Sequence, residues 1–178
     1  MGLKVALHSD NADLKAFFDQ INKYSDGVHS LNNGVDIDHI LQTERELNVG
    51  LPQIYKEFLQ VCNGGELFIP GTVLAGIYYP ELGEKQRGAS YLNESLRENR
   101  RRPGMTNILL IIADLNYGDS ICFDLSTNNG YDARVVQWDR ESQSISRSWE
   151  EFKDWIMDVI EEGSMLVNYD GSNKDLEF

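Results

Sequence analysis

The sequence predicts an α+β fold, a mainly antiparallel sheet packed by helices. Three segments of the C-terminal half are separated by turns rich in glycine, asparagine and aspartate, an order typical of a strand meander: residues 108–113, 120–125 and 134–138. Apolar residues recur at helical spacing on both sides of this meander, between residues 36 and 62 and between residues 149 and 160. The length of 178 residues and the hydrophobic fraction of 41% fit one domain with a sizeable core.

The acidic composition limits the partners that the protein can bind. A net charge of −13 would repel nucleic-acid phosphates and would steer a basic partner toward the surface. Solubility alone is the more common reason for such acidity. We therefore expect no nucleic-acid binding. A basic partner is a hypothesis that requires a binding site on the surface.

The sequence predicts neither a membrane segment nor a disulfide. No stretch approaches the roughly 18 consecutive apolar residues of a membrane helix, and the apolar start, residues 1–7, is too short for a signal peptide. Cys62 and Cys122 lie far apart in apolar runs, which favours reduced core residues. We expect a cytoplasmic protein without membrane contact.

Residues 1–35 are predicted to form an N-terminal extension without a separate core. Residues 3–7 alternate in the manner of a short strand. Asn11 can cap a helix whose apolar residues follow the i, i+3, i+4, i+7 spacing: Leu14, Phe17, Phe18 and Ile21. Residues 27–34 are polar and rich in glycine and asparagine, which predicts a loop before the main domain.

Two helices are expected to follow this loop. Asp36 is the expected N-cap of the first, which runs to about Asn48 and turns four apolar side chains inward: Ile37, Ile40, Leu41 and Leu47. Glu44 lies on the same stripe, so its carboxylate either reaches the rim or accepts a hydrogen bond from a neighbouring backbone group. That structural role is more common than catalysis.

The second of these helices has clear start and stop signals. Pro52 suits the first turn because it lacks an amide hydrogen, and Asn63-Gly64-Gly65 predicts the stop because these residues tolerate positive φ. Between them runs one apolar stripe: Ile54, Tyr55, Phe58, Leu59 and Cys62. Strands at residues 66–70 and 72–79 and a helix over about residues 90–100 are expected next.

The C-terminal helix carries the strongest helical pattern in the chain. Ser148 and Glu151 have the spacing of a capping box, and an apolar face follows: Trp149, Phe152, Trp155, Ile156, Val159 and Ile160. Residues 163–178 are predicted to be a partly mobile tail. The expected core includes Phe58, Leu59, Ile111, Phe123, Trp149, Phe152 and Trp155.

Three blocks of the sequence together resemble the SUKH superfamily. The first is Leu51-Pro52 through Asn63-Gly64-Gly65, with Glu44 upstream of it. The second is the apolar strand at Ile111-Ile112, followed by Gly118-Asp119 and Phe123-Asp124. The third is the aromatic-rich helix start from residue 149 to residue 156. The resemblance covers residues 36–162, between the extension at residues 1–35 and the tail at residues 163–178.

The resemblance implies an α+β domain with a mainly antiparallel sheet, and a non-enzymatic protein that binds other proteins. Bacterial members of this superfamily bind and neutralise secreted toxins, many of them nucleases. Fungal members act as regulatory scaffolds in cell-wall assembly. An immunity protein against a cognate, basic toxin is the first functional hypothesis, and a cell-wall regulator is the alternative.

The residues themselves predict no catalytic or metal site. The three histidines, His8, His29 and His39, have no spacing typical of zinc ligands, and the sequence has no P-loop, G-x-S-x-G or G-x-G-x-x-G motif. Asp119 and Asp124 flank one strand at an odd offset of five positions, so their side chains point to opposite faces. We expect no enzyme, no cofactor and no metal.

Partner recognition is expected in loops, since the helix stripes and residues 108–113 are assigned to the core. The candidate residues are polar or aromatic: Glu66, Tyr78, Tyr79, Asn116, Tyr117 and Asp119. An equally simple alternative has one of the two adjacent tyrosines facing inward as packing. The acidic C-terminal helix and tail are the second possible interface, and the expected oligomeric state is a monomer or weak homodimer.

Overall fold

The apolar run in the second half of the chain forms the middle strand of a seven-stranded sheet. The computed structural model describes residues 6–86 and 88–175. In chain order its helices and strands are α1 (Ala12–Ile21), β1 (Ser30–Asn33), α2 (Ile37–Leu47), α3 (Gln53–Val61), β2 (Cys62–Leu67), β3 (Thr72–Leu74), α4 (Leu92–Arg101), β4 (Leu109–Asp114), β5 (Ser120–Asp124), β6 (Val135–Asp139), β7 (Ser144–Trp149) and α5 (Phe152–Leu166). Short 3-10 turns lie at Pro80–Leu82 and Leu125–Thr127.

Each strand pairs in antiparallel fashion with the next strand along the chain, so the sheet order is β1 to β7. This meander with helices packed on it confirms the predicted α+β fold. β1 and β7 form the two edges. In the described residues no helix is long and apolar enough to cross a membrane.

The two faces of the sheet carry separate apolar clusters. In β4, Leu110 and Ile112 enter the larger cluster, whereas Leu109 and Ile111 enter the smaller one, because side chains alternate along a strand. The larger cluster joins the sheet to α1, α2, α3 and α5. The smaller cluster consists of Met105, Leu109, Ile111, Cys122, Val136 and Trp138. A strand covered on both faces explains the uninterrupted apolar run.

Helix α4 takes the place of a strand along part of the β4 edge. β3 pairs with β4 only at Ala113 and Asp114. Farther along β4, Ser95 Oγ accepts a hydrogen bond from Ile111 N at 3.0 Å, and Asn99 Nδ2 donates to the Leu109 carbonyl. Both side chains are buried, so they replace ladder hydrogen bonds that water cannot supply there.

The loop expected at residues 27–34 contains strand β1, so that prediction is wrong. Helix α3 ends at Val61, close to the expected stop, but Asn63-Gly64-Gly65 lies inside strand β2 and not in a turn. The two glycines do have positive φ, 73° and 125°, but the reason is a close approach of neighbouring strands. A Cβ on Gly65 would overlap the Ser30 carbonyl oxygen. The strand expected at residues 3–7 lies mostly outside the described residues, and residues 6–8 have no regular structure.

Two further strand predictions have the wrong bounds. The strand expected at residues 66–70 begins and ends earlier, as β2, and the one expected at residues 72–79 ends at Leu74 as β3. Ala75 N still donates to the Ile112 carbonyl of β4 at 2.8 Å, but residues 76–79 leave the sheet, and Gly76 forms an isolated bridge with Tyr91. The cause is α4, which occupies the space beside β4 that a longer β3 would need.

The structure also corrects the predicted capping box and the predicted start of the tail. Ser148 and Trp149 end strand β7, and α5 begins at Phe152. Both carboxylate oxygens of Asp132 lie 3.2 Å from the Phe152 amide, so a residue from the β5–β6 connection caps this helix. α5 continues to Leu166 and therefore includes four residues that were assigned to the tail.

Most of the predicted core is buried, with four corrections. Phe58, Leu59, Ile111, Phe123, Phe152 and Trp155 are buried as expected. Trp149 is half-buried because it lies at the end of an edge strand. Ile37, Leu41 and Ile108 are more than a third exposed because they lie at the borders of their apolar runs. The proposed division into extension, main domain and tail stays a prediction, although α1 packs against α5 in the main core.

Trp155→Ala is expected to reduce the free energy of unfolding by about 3–5 kcal/mol, because it leaves a cavity among buried aromatic rings. Trp155 is 2% exposed and its ring centroid lies 5.6 Å from that of Phe152. Urea denaturation measures the change, with the exposed Met165→Ala on the same helix as the control. A midpoint that does not move for Trp155→Ala would contradict this packing.

Gly163→Ala is expected to destabilise the protein by about 1–3 kcal/mol through overpacking, although alanine is the better helix former by about 1 kcal/mol. A Cβ at this buried helical position would overlap the ring of Phe68. Thermal unfolding of Gly163→Ala, of Phe68→Leu and of the double variant measures the coupling. If the smaller leucine side chain introduced by Phe68→Leu recovers none of the loss, the Gly163–Phe68 contact is not its cause.

Candidate functional site

The structure distributes the six predicted recognition residues over two regions. Glu66 lies in β2 and accepts a hydrogen bond from Gly71 N at 3.0 Å, so its carboxylate shapes the β2–β3 turn. Tyr79 is only 7% exposed, and its hydroxyl lies 3.1 Å from Thr43 Oγ1 under α2. One of the adjacent tyrosines therefore does face inward, as the simple packing alternative had it.

Tyr78 belongs to a polar groove on the surface. Its ring is 5.5 Å from that of Tyr91, and Lys85 Nζ lies 5.0 Å from the Tyr78 ring centroid. Asn63 lines the same groove, but both its amide oxygen and nitrogen bind the Ile77 backbone. The side chains that line the groove are thus largely occupied by contacts with one another and with the neighbouring backbone.

The other three candidates belong to the β4–β5 turn. Tyr117 is 60% exposed, and its hydroxyl accepts a hydrogen bond from Gln137 Nε2 at 3.3 Å. Asp119 is buried and accepts from Gln137 Nε2 at 2.8 Å and from Arg140 N at 3.1 Å. Asn116 donates to the Pro70 carbonyl at 3.3 Å and thereby joins this turn to the β2–β3 turn. Of these three, Asn116 and Tyr117 are exposed, and Tyr117 is the aromatic one.

Asn116 and Tyr117 open onto a cleft between the sheet and helix α5, which we call the α5 cleft. The β2–β3 turn and the β4–β5 turn form one wall, and β7 and α5 form the other. Its lining includes Phe68, Tyr117, Arg147, Trp149, Asp158, Glu162 and Leu166. Leu166 is 53% exposed at the rim, so the cleft presents aliphatic and aromatic surface beside charged groups.

Arg147 spans the floor of the cleft. Its Nη2 lies 2.7 Å from Asp158 Oδ2, and its Nη1 lies 2.8 Å from Glu162 Oε1. The guanidinium carbon lies 4.8 Å from the Trp149 ring centroid, and Trp149 Nε1 donates to Asp158 Oδ2 at 2.9 Å. We refer to Trp149, Asp158 and Glu162 as the guanidinium clamp.

This arrangement raises the pKa values of Arg147 and Tyr117. The hydrogen bond to Glu162 raises the pKa of Arg147, so the guanidinium stays charged. Burial raises the pKa of Tyr117, and the nearby Asp119 and Glu162 carboxylates raise it further, whereas the Gln137 contact lowers it. Tyr117 is therefore a neutral phenol at physiological pH that can donate its hydroxyl proton to a partner.

The size and chemistry of the cleft suit side chains of another protein. Its volume of about 190 Å³ is below the roughly 300–1,000 Å³ of small-molecule sites. Exposed aromatic and aliphatic groups with a charged rim are typical of protein interfaces.

The two cysteines and Glu44 lie in structural environments. Burial raises the pKa of Cys62 to about 12, so this thiol stays protonated at neutral pH, and burial also raises the pKa of Cys122. Glu44 accepts a hydrogen bond from Leu51 N at 2.6 Å and lies 3.4 Å from Lys56 Nζ, the structural role expected for it. No three His, Cys, Asp or Glu side chains of the described residues are grouped as metal ligands would be.

The sequence patterns indicate the acidic C-terminal helix and tail as a possible interface but miss the contribution of β7 to the cleft. They assign no role to Arg147 and place Trp149 on the helix. The alternation from Ser144 to Trp149 was the available signal, because period-two alternation indicates a strand. Leu166 was assigned to the tail and could be placed at the cleft only once the full length of α5 was known.

Comparison with known proteins agrees with this architecture. The family model described as the SMI1 / KNR4 family (SUKH-1) matches residues 34–158. A crystal structure of a protein from Pseudomonas syringae pv. tomato superposes with a TM-score of 0.62 at 19% sequence identity, covering 83% of this chain and 99% of that one. That likeness shows a shared fold. Since the family model spans more than half of the sequence, the chain belongs to the SMI1/KNR4 (SUKH-1) family.

Proposed function

We propose that the protein is an immunity protein, which binds a cognate basic toxin through the α5 cleft and neutralises it without catalysis. Family membership supports a role as an immunity or regulatory protein. The observation that favours the cleft is the exposure of Tyr117 and Leu166 beside the carboxylates of Asp158 and Glu162. Among the three candidate tyrosines from the sequence, Tyr117 is the exposed one, and it lies beside apolar surface.

Charge supports the choice of a basic partner. The chain carries 29 acidic and 16 basic residues, and Glu162 is more than half exposed at the cleft rim. A nuclease toxin has a basic groove for nucleic acid, and carboxylates on the inhibitor can complement that groove. Such complementarity accelerates association and selects among partners more than it increases affinity. Affinity then depends on burying the Tyr117 and Leu166 side chains.

Glu162→Lys combined with Tyr117→Ala is expected to weaken binding at least tenfold, because it reverses a rim charge and removes the exposed aromatic group. The partner to test is a toxin domain encoded by a neighbouring gene, which the proposal predicts. Co-expression should protect the host cells, co-purification should give a stable complex, and surface plasmon resonance gives the rate constants. The matched control is Glu98→Lys, a carboxylate on α4 that likewise pairs with an arginine, at i+3, but does not line the cleft.

Three outcomes would contradict the proposal. A folded double variant that binds as tightly as the wild type places the interface elsewhere. Equal losses for Glu162→Lys and Glu98→Lys would mean that net charge, not the cleft, governs binding. If the neighbouring gene encodes no toxin and the protein co-purifies with cell-wall synthesis or signalling enzymes, the regulatory scaffold replaces the immunity protein.

A further inference from the structure

The guanidinium clamp has the features of a site that recognises arginine. Two carboxylates at i and i+4 on α5, Asp158 and Glu162, bind separate Nη atoms of one guanidinium. The plane of an indole lies beside the same group at 4.8 Å. Arginine suits such a site because its planar fork binds carboxylates at defined angles and its face stacks on aromatic rings. Lysine can supply only the charge.

Two members of the clamp are joined by a contact that does not involve Arg147. Trp149 Nε1 donates to Asp158 Oδ2 at 2.9 Å, so β7 and α5 are linked directly. α5 is also anchored in the core by Trp155, which is 2% exposed. Withdrawal of Arg147 would leave the indole joined to Asp158, with the exposed Glu162 carboxylate one turn farther along the same helix.

Arg147 itself is weakly held. Its side chain is 47% exposed, and it projects from the edge strand of the sheet. Exposed ion pairs stabilise a protein only slightly, since water competes for both charges. Rotation of the Arg147 side chain away from the clamp would expose the clamp to solvent without disturbing the core.

We propose that the guanidinium clamp receives an arginine side chain of the protein partner, and that Arg147 occupies this place in the free protein. The inference rests on the proposed function, because it specifies what the basic partner presents to the α5 cleft. When the partner's guanidinium replaces that of Arg147, both carboxylates of the clamp keep an ion-pair partner. The partner's arginine therefore binds without leaving a buried charge unpaired. An internal arginine also keeps two neighbouring carboxylates from repelling each other before binding.

The test uses Arg147→Ala and a small probe, N-acetyl-arginine amide, followed by the NMR signal of the Trp149 indole N–H. Arg147→Ala should bind the probe saturably with a Kd on the order of millimolar, at least tenfold more tightly than the wild type. N-acetyl-lysine amide should bind several-fold more weakly than the arginine probe. The matched control is Arg101→Ala, which also removes an exposed, ion-paired arginine but lies on α4.

A second variant distinguishes probe binding at the clamp from a general effect of the protein's charge. Arg147→Ala/Glu162→Gln should lose the binding gained by Arg147→Ala, while its indole signal and thermal midpoint show that it is folded. If Arg147→Ala binds the arginine probe no better than the wild type or Arg101→Ala, Arg147 is only a surface ion pair and the inference is wrong. That result would leave toxin binding intact, whereas loss of toxin protection with a functional clamp would overturn the proposed function alone.

Discussion

The packing around Phe58 holds the helices on the sheet. Its ring centroid lies 5.6 Å from that of Phe18 on α1, 6.1 Å from that of Tyr55 on its own helix and 5.4 Å from that of Phe152 on α5. Phe123 extends the same cluster into β5, 5.6 Å from Phe152. Aromatic rings bury large areas in fixed orientations. The positions of α1, α3 and α5 are therefore interdependent, and the orientation of α5 follows from that of α3.

This orientation decides which face of α5 is available for recognition. Phe152, Trp155 and Ile156 are committed to the core, so the face carrying Asp158 and Glu162 must turn toward β7. The close contact between Gly163 and Phe68 brings the end of the helix against the β2–β3 turn and closes the cleft on that side. A rigid scaffold thus positions a small number of exposed groups, which reduces the entropy lost when a partner binds.

Elements with strong apolar patterns could be predicted from the sequence, and polar edge strands could not. The α1 stripe, the α3 start at Pro52 and the β4 run are observed close to their expected places. β1 was missed because Ser30–Asn33 is polar, and β7 because a capping-box spacing coincides with its last residues. Only Asn116 and Tyr117 of the six candidates line the cleft, since its walls come from segments far apart in the sequence.

The net charge of −13 cannot by itself select a binding surface. At physiological ionic strength the charges of a protein act over about 8 Å, so distant carboxylates affect the rate of encounter more than the bound complex. Several acidic side chains are already engaged within the chain, such as Asp124 with Arg134 and Asp132 at the start of α5. The carboxylates of the α5 cleft are also engaged, with Arg147, but they differ in lying beside exposed Tyr117 and Leu166. Recognition there can combine electrostatic steering with apolar burial. Steering accounts for a high rate of association, and burial accounts for affinity.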